Sequence, residues 1–121
     1  MGSFERQARA MVDSAGREVE HRFFERIESD GREVWTEHEE SPQTIMAIPD
    51  ETGRGLGFDR EINEIETKSA REYHTRDDVE HLRDGGGDRA SRIVDRGTEW
   101  IVMQLDELGT GTFRLICWRD D

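Results

Sequence analysis

The residues of this 121-residue chain that could do chemistry are four histidines, one cysteine, scattered serines and two glycine-rich runs. Gly53–Phe58 (GRGLGF) superficially resembles a phosphate-binding loop, but it lacks the lysine of a P-loop, the spacing of the dinucleotide fingerprint and a strand–helix context. Asp84–Asp88 (DGGGD) has neither the acceptor spacing nor the closing glutamate of a calcium loop. His74 and His81, with Asp77 and Asp78 between them, are the nearest approach to a metal cluster. His21 and His38 stand apart. With 29 acidic residues, such neighbourhoods arise from composition alone. Ser14, Ser29, Ser41, Ser69 and Ser91 lack a nucleophile elbow. Cys117, between Ile116 and Trp118, reads as a small buried hydrophobe rather than a reactive thiol. The expectation is no catalytic residue, no cofactor, no metal and no enzyme.

A different chemistry is better represented. Trp100 and Trp118, with Trp35, are core candidates, yet tryptophan and arginine together also build interface hot spots. Arg96 and Arg114 accompany Arg92 and Arg119 around them in an otherwise acidic chain, suited to an acidic partner or another copy. A second candidate contact is the glycine loop itself. Gly53, Gly55 and Gly57 alternate with Leu56 and Phe58 ahead of Arg60, and such a loop can order against a neighbouring subunit.

The elements that must position these residues centre on 92–119, RIVDRGTEWIVMQLDELGTGTFRLICWR. Glu99–Leu105 and Thr112–Trp118 have strand character, and the loop between them carries glycines for the reversal. Alternation places Ile101, Met103 and Leu105 on one face with Phe113, Leu115 and Cys117. The other face carries Trp100, Val102, Ile116 and Trp118. A hairpin apolar on both sides must be covered on both, by the fold or by another chain.

Composition bounds the rest. The length gives one domain, and 32% hydrophobic against 38% charged residues implies a thin core. A net charge of -12 argues against nucleic-acid binding and against an anionic membrane. Of 17 basic residues only Lys68 is a lysine. Acidity with so little lysine resembles proteins of salt-in halophiles, and at molar salt a Debye length of about 3 Å removes most of the self-repulsion. One cysteine permits no internal disulfide. With neither a signal peptide nor a membrane-length run in view, synthesis and folding are expected in a cytoplasm.

Taken in order, residues 3–15 predict an amphipathic helix, capped by Ser3, with Phe4, Ala8, Met11, Val12 and Ala15 as its stripe and Gly16 at its end. So short a helix must lie on something, and the tryptophan-bearing hairpin face is the candidate. Strands are expected at Arg17–Ile27, at Arg32–Glu39 after the Ser29-Asp30-Gly31 turn, and at Thr44–Ile48, closed by Pro49. Residues 50–61 form a long flexible loop, and strand character resumes over Ile62–Thr75, anchored by Ile65 and Tyr73. A second extended loop covers 77–90, with a short strand or turn at Val79–Leu82. Asp95-Arg96-Gly97 turns the chain into the hairpin. The fold class is mainly β: a small antiparallel β-barrel or sandwich with a short N-terminal helix and long flexible loops.

In this order the elements resemble the small head-tail joining or head-closure (connector) proteins of tailed viruses. The likeness lies in the opening helix FERQARAMV, the strand REVEHRFF, the strand with its small-residue and proline motif SPQTIMAIPDE, and the closing run SRIVDRGTEWIVMQLDELGTGTFRLICWRD. That run holds a Gly-x-x-aromatic turn, here Gly97 and Trp100 where tyrosine is common, and ends in Leu-x-Cys at Leu115 and Cys117. The resemblance implies a structural virion protein in the neck of the particle, made in a host cytoplasm at high salt. Copies would form a closed ring between portal or adaptor and tail proteins, sealing packaged DNA that passes through a negative lumen without sequence-specific binding. With the composition, it implies a virus of a haloarchaeon. A tail-terminator or tail-completion protein of the same particle, or an acidic β-rich protein-binding module, would share the size and barrel character.

Overall fold

The structure, a computed structural model, describes residues 3–50 and 70–119. Helix α1 runs Ser3–Ala15, and strands follow at β1 (Arg17–Arg22), β2 (Phe24–Ser29), β3 (Arg32–Glu37), β4 (Gln43–Asp50), β5 (Ala70–Arg76), β6 (Arg92–Asp95), β7 (Thr98–Glu107) and β8 (Thr112–Trp118). Six of these close antiparallel into a barrel in the order β1-β4-β5-β8-β7-β6, while β2 and β3 form a separate two-stranded ribbon. Closure leaves the barrel without a sheet edge. The mainly β class, the N-terminal helix and the barrel are as the sequence predicts.

Period-two alternation fills the interior. Val19, Ala47, Tyr73, Ile93, Trp100, Val102, Leu115 and Cys117 form one buried cluster, with Ile45, Leu82, Leu105 and Phe113 packed against it. Burial of each larger aliphatic side chain contributes roughly 1.5–3 kcal/mol, so a core this small leaves little to spare.

Four local expectations change. The predicted strand Arg17–Ile27 is two strands, because the chain leaves the barrel after Arg22 and Phe23 turns inward. Phe23 is 1% exposed, its N–H donates to Ser41 Oγ at 3.0 Å, and its carbonyl accepts the His38 N–H. Pro49 does not end its strand: it continues through Asp50, with Pro49 opposite Tyr73. Beyond Ala47 this strand has no β1 neighbour, so the missing N–H costs no ladder bond on that side.

The largest change is in the late hairpin. A bulge between Val102 and Gln104 shifts the register, so Val102 faces Cys117 while Leu105 faces Leu115. An extra residue reverses the facing of everything beyond it. Trp100 and Val102 therefore point inward with Leu105, not outward with Trp118 as uninterrupted alternation predicts. Met103 is left exposed. The hairpin is nonetheless apolar on both sides, since Ile116 and Trp118 pack with Ala70 outside the barrel.

Finally, residues 77–90 are an anchored loop. The Ser91 N–H reaches the Arg83 carbonyl at 3.1 Å, Asp84 Oδ2 accepts the Leu105 N–H at 3.4 Å, and Gly87–Arg89 makes a 3-10 turn. Val79–Leu82 is turn rather than strand. Most of the predicted 50–61 loop, and Ile65, lie outside the described residues.

Candidate interaction surfaces

Helix α1 docks across β4, β5 and β8 rather than on the tryptophan-bearing hairpin face. Two ion pairs fix it, Arg9 to Asp77 at 2.6 Å and Asp13 to Arg76 at 2.8 Å. Two glycines let it approach. A Cβ at Gly16 would lie 2.5 Å from the Val12 carbonyl oxygen and 3.1 Å from Ala47, and one at Gly111 (φ +91°) would lie 2.9 Å from the Glu5 carbonyl oxygen. Of the apolar stripe only Val12 is buried. Phe4 is 79% and Met11 62% exposed. Between them and the outer face of β4 and β5, where Ile48 pairs with His74, runs an apolar groove of about 510 Å³.

The second surface that exposes apolar side chains among the described residues is the β2–β3 ribbon. Its base is held by three arginines: Arg22 and Arg92 lie 5.7 and 5.6 Å from the Phe24 ring, and Arg83 lies 5.6 Å from Trp35. Arg22 is fixed in turn by Glu37 at 2.8 Å and Glu99 at 2.5 Å. Towards the tip, Ile27 and Val34 are cross-strand partners on one face, each 39% exposed. Because Arg92 is on β6 and the groove is centred on β5, the strand order sets ribbon base and groove across the barrel from each other. Two strands separate β5 from β6 in either direction.

Polar side chains inside the barrel are structural. At the end where β1 begins, buried Asp95 accepts Tyr73 Oη at 2.7 Å, Arg17 Nε at 3.0 Å with a second, shorter contact from the same guanidinium, and Arg71 at 3.3 Å. Burial pushes the Asp95 carboxyl up, but the bonds from Arg17 and Tyr73 outweigh it and hold its pKa below the usual value. Burial, then the Asp95 partner, pushes the Tyr73 phenol up, so it stays a donor. Arg71 stands 4.5 Å from the Trp100 ring.

At the other end of β1 three histidines gather on Phe23. His81 stacks on it at 4.8 Å and 5°, while His21 and His38 are tilted at 4.9 and 5.2 Å. His21 Nε2 lies 3.0 Å from Ser91 Oγ, and its Nδ1 has no partner among the described residues. Burial first, and His81 second, lower its pKa to about 4, so it is neutral at pH 7. The Glu40 N–H donates to His38 Nδ1 at 3.1 Å, which turns Nε2 towards Glu25 at 3.4 Å. Faces are packed here, and among the described residues no group of histidine, cysteine and carboxylate side chains could hold a metal ion. Cys117 is fully buried, and burial pushes its thiol up, out of the reactive range.

The sequence candidates divide accordingly. Trp100 is 2% exposed inside the barrel, so the bulge removes it from any surface. Trp118 is half-buried outside, against Ala70 and Ile116. Arg96 is exposed in the β6–β7 turn with φ 51°. Arg114 is engaged by Asp106 at 2.8 Å and Glu72 at 3.5 Å. Gly53, Gly55, Leu56, Gly57, Phe58 and Arg60 lie outside the described residues. Sequence reasoning assigned Phe4 and Met11 to a buried stripe and passed over Ile27 and Val34. The signal for the latter was in reach: two apolar residues symmetric about the Asp30-Gly31 turn, among charged neighbours.

The chain matches no model of a known family and no curated protein.

Proposed function

We propose that this chain is a structural subunit of the neck of a tailed virus, a head-tail joining or head-closure protein whose copies close into a ring between portal and tail. In this reading the ring seals the packaged DNA and offers the tail a docking surface. What carries it is a relation between surfaces. Among the described residues, a closed barrel with no edge of its own bears an apolar groove on one wall and, on the opposite wall, a two-stranded ribbon that exposes Ile27 and Val34. Head-to-tail contacts between two different patches build rings.

Three further features support the reading. The opening helix and the closing strand pattern follow the order of the connector proteins that the sequence resembles. The charge of -12 suits a lumen through which a duplex moves without being gripped. Near-absence of lysine suits a haloarchaeal host, where molar salt screens repulsion between sister copies.

The test is assembly in molar KCl, read by mass photometry and cryo-EM of the purified chain and of particles that contain it. A single closed multimer is expected. Monomers alone, in solution and in the particle, would overturn the proposal.

A further inference from the structure

We propose that two copies of this chain pair through the outer edge of β2, strand against antiparallel strand about a two-fold axis at Ile27, merging their ribbons into one four-stranded sheet. Among the described residues β2 hydrogen-bonds to β3 alone. Arg26, Ile27, Glu28 and Ser29 are all exposed. An edge of this kind is a template for a further strand. The contact uses the same patch of both copies, so it goes beyond the head-to-tail ring contact and does not depend on it. It leaves the α1 groove and the ribbon's apolar face available to that ring.

Backbone parity decides which residues offer bonds to a neighbour. Asp30 and Gly31, at φ 51° and 75°, make a two-residue turn closed by the Ser29–Arg32 pair. At the ribbon's other end the Phe23 carbonyl accepts the His38 N–H at 3.0 Å. Glu25, Ile27 and Ser29 therefore turn their backbone groups towards β3, and Arg26 and Glu28 turn theirs to the open edge. An antiparallel copy centred on Ile27 sets Arg26 opposite the partner's Glu28 and Glu28 opposite the partner's Arg26. Each of these two pairs can exchange both backbone bonds. Ile27 meets its own counterpart between them, as a pair without backbone bonds.

The side chains agree with that register. On the face that bears Arg26, Glu28 and Glu33 are cross-strand partners of like charge, which opposes their pairing. Arg26, 3.1 Å from Glu33, is the one cation that the ribbon itself contributes to that face. The contact lays a second arginine, the partner's Arg26, beside Glu28. On the other face Ile27 and Val34, each 39% exposed, join their counterparts in a stripe of four apolar side chains. The row next to that stripe runs Arg32, Ser29 and then the partner's Glu25, so the tip arginine reaches over a small serine to a carboxylate. A slip of two residues either way sets like charges opposite each other, Glu28 on Glu28 or Arg26 on Arg26, and breaks the apolar stripe. Pairing through β3 about Val34 would set Glu33 opposite Trp35 and bring no cation to Glu28. Charge and apolar pattern thus select the same edge and the same register.

Disulfide trapping reads this contact. Facing Ile27 positions would have Cα atoms about 4.5 Å apart, within reach of a disulfide. The native Cys117 is buried and does not compete. Under mild oxidation in molar KCl, Ile27→Cys should link to itself as a covalent dimer. Val34→Cys, three strand spacings or roughly 14 Å from its counterpart, should stay unlinked. Charge reversal supplies a second reading by sedimentation velocity. Glu28→Arg sets arginine opposite Arg26 while still facing Glu33 within its own ribbon, and should weaken the dimer severalfold. Adding Arg26→Glu remakes the pair with its signs exchanged and should restore it. Linking of Val34→Cys but not Ile27→Cys would overturn the β2 edge in favour of β3, and a dimer indifferent to Glu28→Arg would overturn the register. A closed ring in which Ile27→Cys never links would overturn this contact and leave the ring reading standing. A linked pair that never closes into a ring would do the reverse.

Discussion

Tyr73 donates its phenolic proton to Asp95 at 2.7 Å inside the barrel, and Arg17 and Arg71 complete the carboxylate's shell. Tyr73 on β5 and Asp95 on β6 are thereby tied across the interior to Arg17 at the start of β1. The pair is buried, and the two substitutions that divide it should differ widely in cost. Tyr73→Phe removes one hydrogen bond to a charged acceptor and should cost roughly 1.5–3 kcal/mol. Asp95→Ala removes the buried acceptor that Tyr73, Arg17 and Arg71 share and should cost roughly 3–5 kcal/mol. Denaturant midpoints in molar KCl measure both, and equal losses would show that Asp95 does not organise the cluster.

His21 makes stability fall on the acid side of neutrality. Its folded pKa of about 4 lies below the ordinary 6.5, so the unfolded chain binds the extra proton between those values and stability rises with pH there. The contribution is whole above about pH 6.5 and declines as pH falls towards 4, by about 3 kcal/mol in all. Asp95, also depressed, sheds its contribution only as pH drops below the carboxylate range. Unfolding midpoints between pH 7 and 4.5 should therefore slope in the wild type and flatten in His21→Phe. An unchanged slope would place the titration elsewhere.

Gly111 and Gly109 both have positive φ, at 91° and 74°, but only Gly111 touches the helix. Gly109→Ala meets nothing within 4 Å and should cost about 1 kcal/mol for its backbone alone. Gly111→Ala must in addition push the Glu5 backbone away, since its Cβ would lie 2.9 Å from that carbonyl oxygen. The excess, read as the difference in thermal midpoint, should vanish when residues 1–15 are deleted from both variants. A difference that persists would mean that helix docking is not what Gly111 permits.

Salt should act on the whole molecule. With 29 acids against 17 basic residues, self-repulsion opposes the compact state at low ionic strength and is screened as the Debye length shrinks to about 3 Å near 1 M. Circular dichroism during dialysis from molar to millimolar KCl should show strand signal lost, with recovery on return. A fold indifferent to this change would sink the salt-adapted reading of the composition.

The sequence by itself determined what is local or summed: the charge, the helix from Ser3 to Ala15 with its glycine stop, and the turns at Asp30-Gly31 and Arg96-Gly97. The antiparallel β character and the burial of Tyr73 and Cys117 were legible too. Each follows from composition, from a period of two or 3.6, or from glycine's access to positive φ. Tertiary structure decided the rest, because it depends on partners distant in the chain. The bulge after Val102 sent Trp100 inside, a choice made by pairing with β8 and invisible to alternation. Phe23 broke its strand because Ser41 and His38 receive it, and three histidines spread over sixty residues met on its ring. Phe4 and Met11 stayed outside because the helix docks through Arg9, Val12 and Asp13. Only the closed strand order could set the groove and the ribbon on opposite walls.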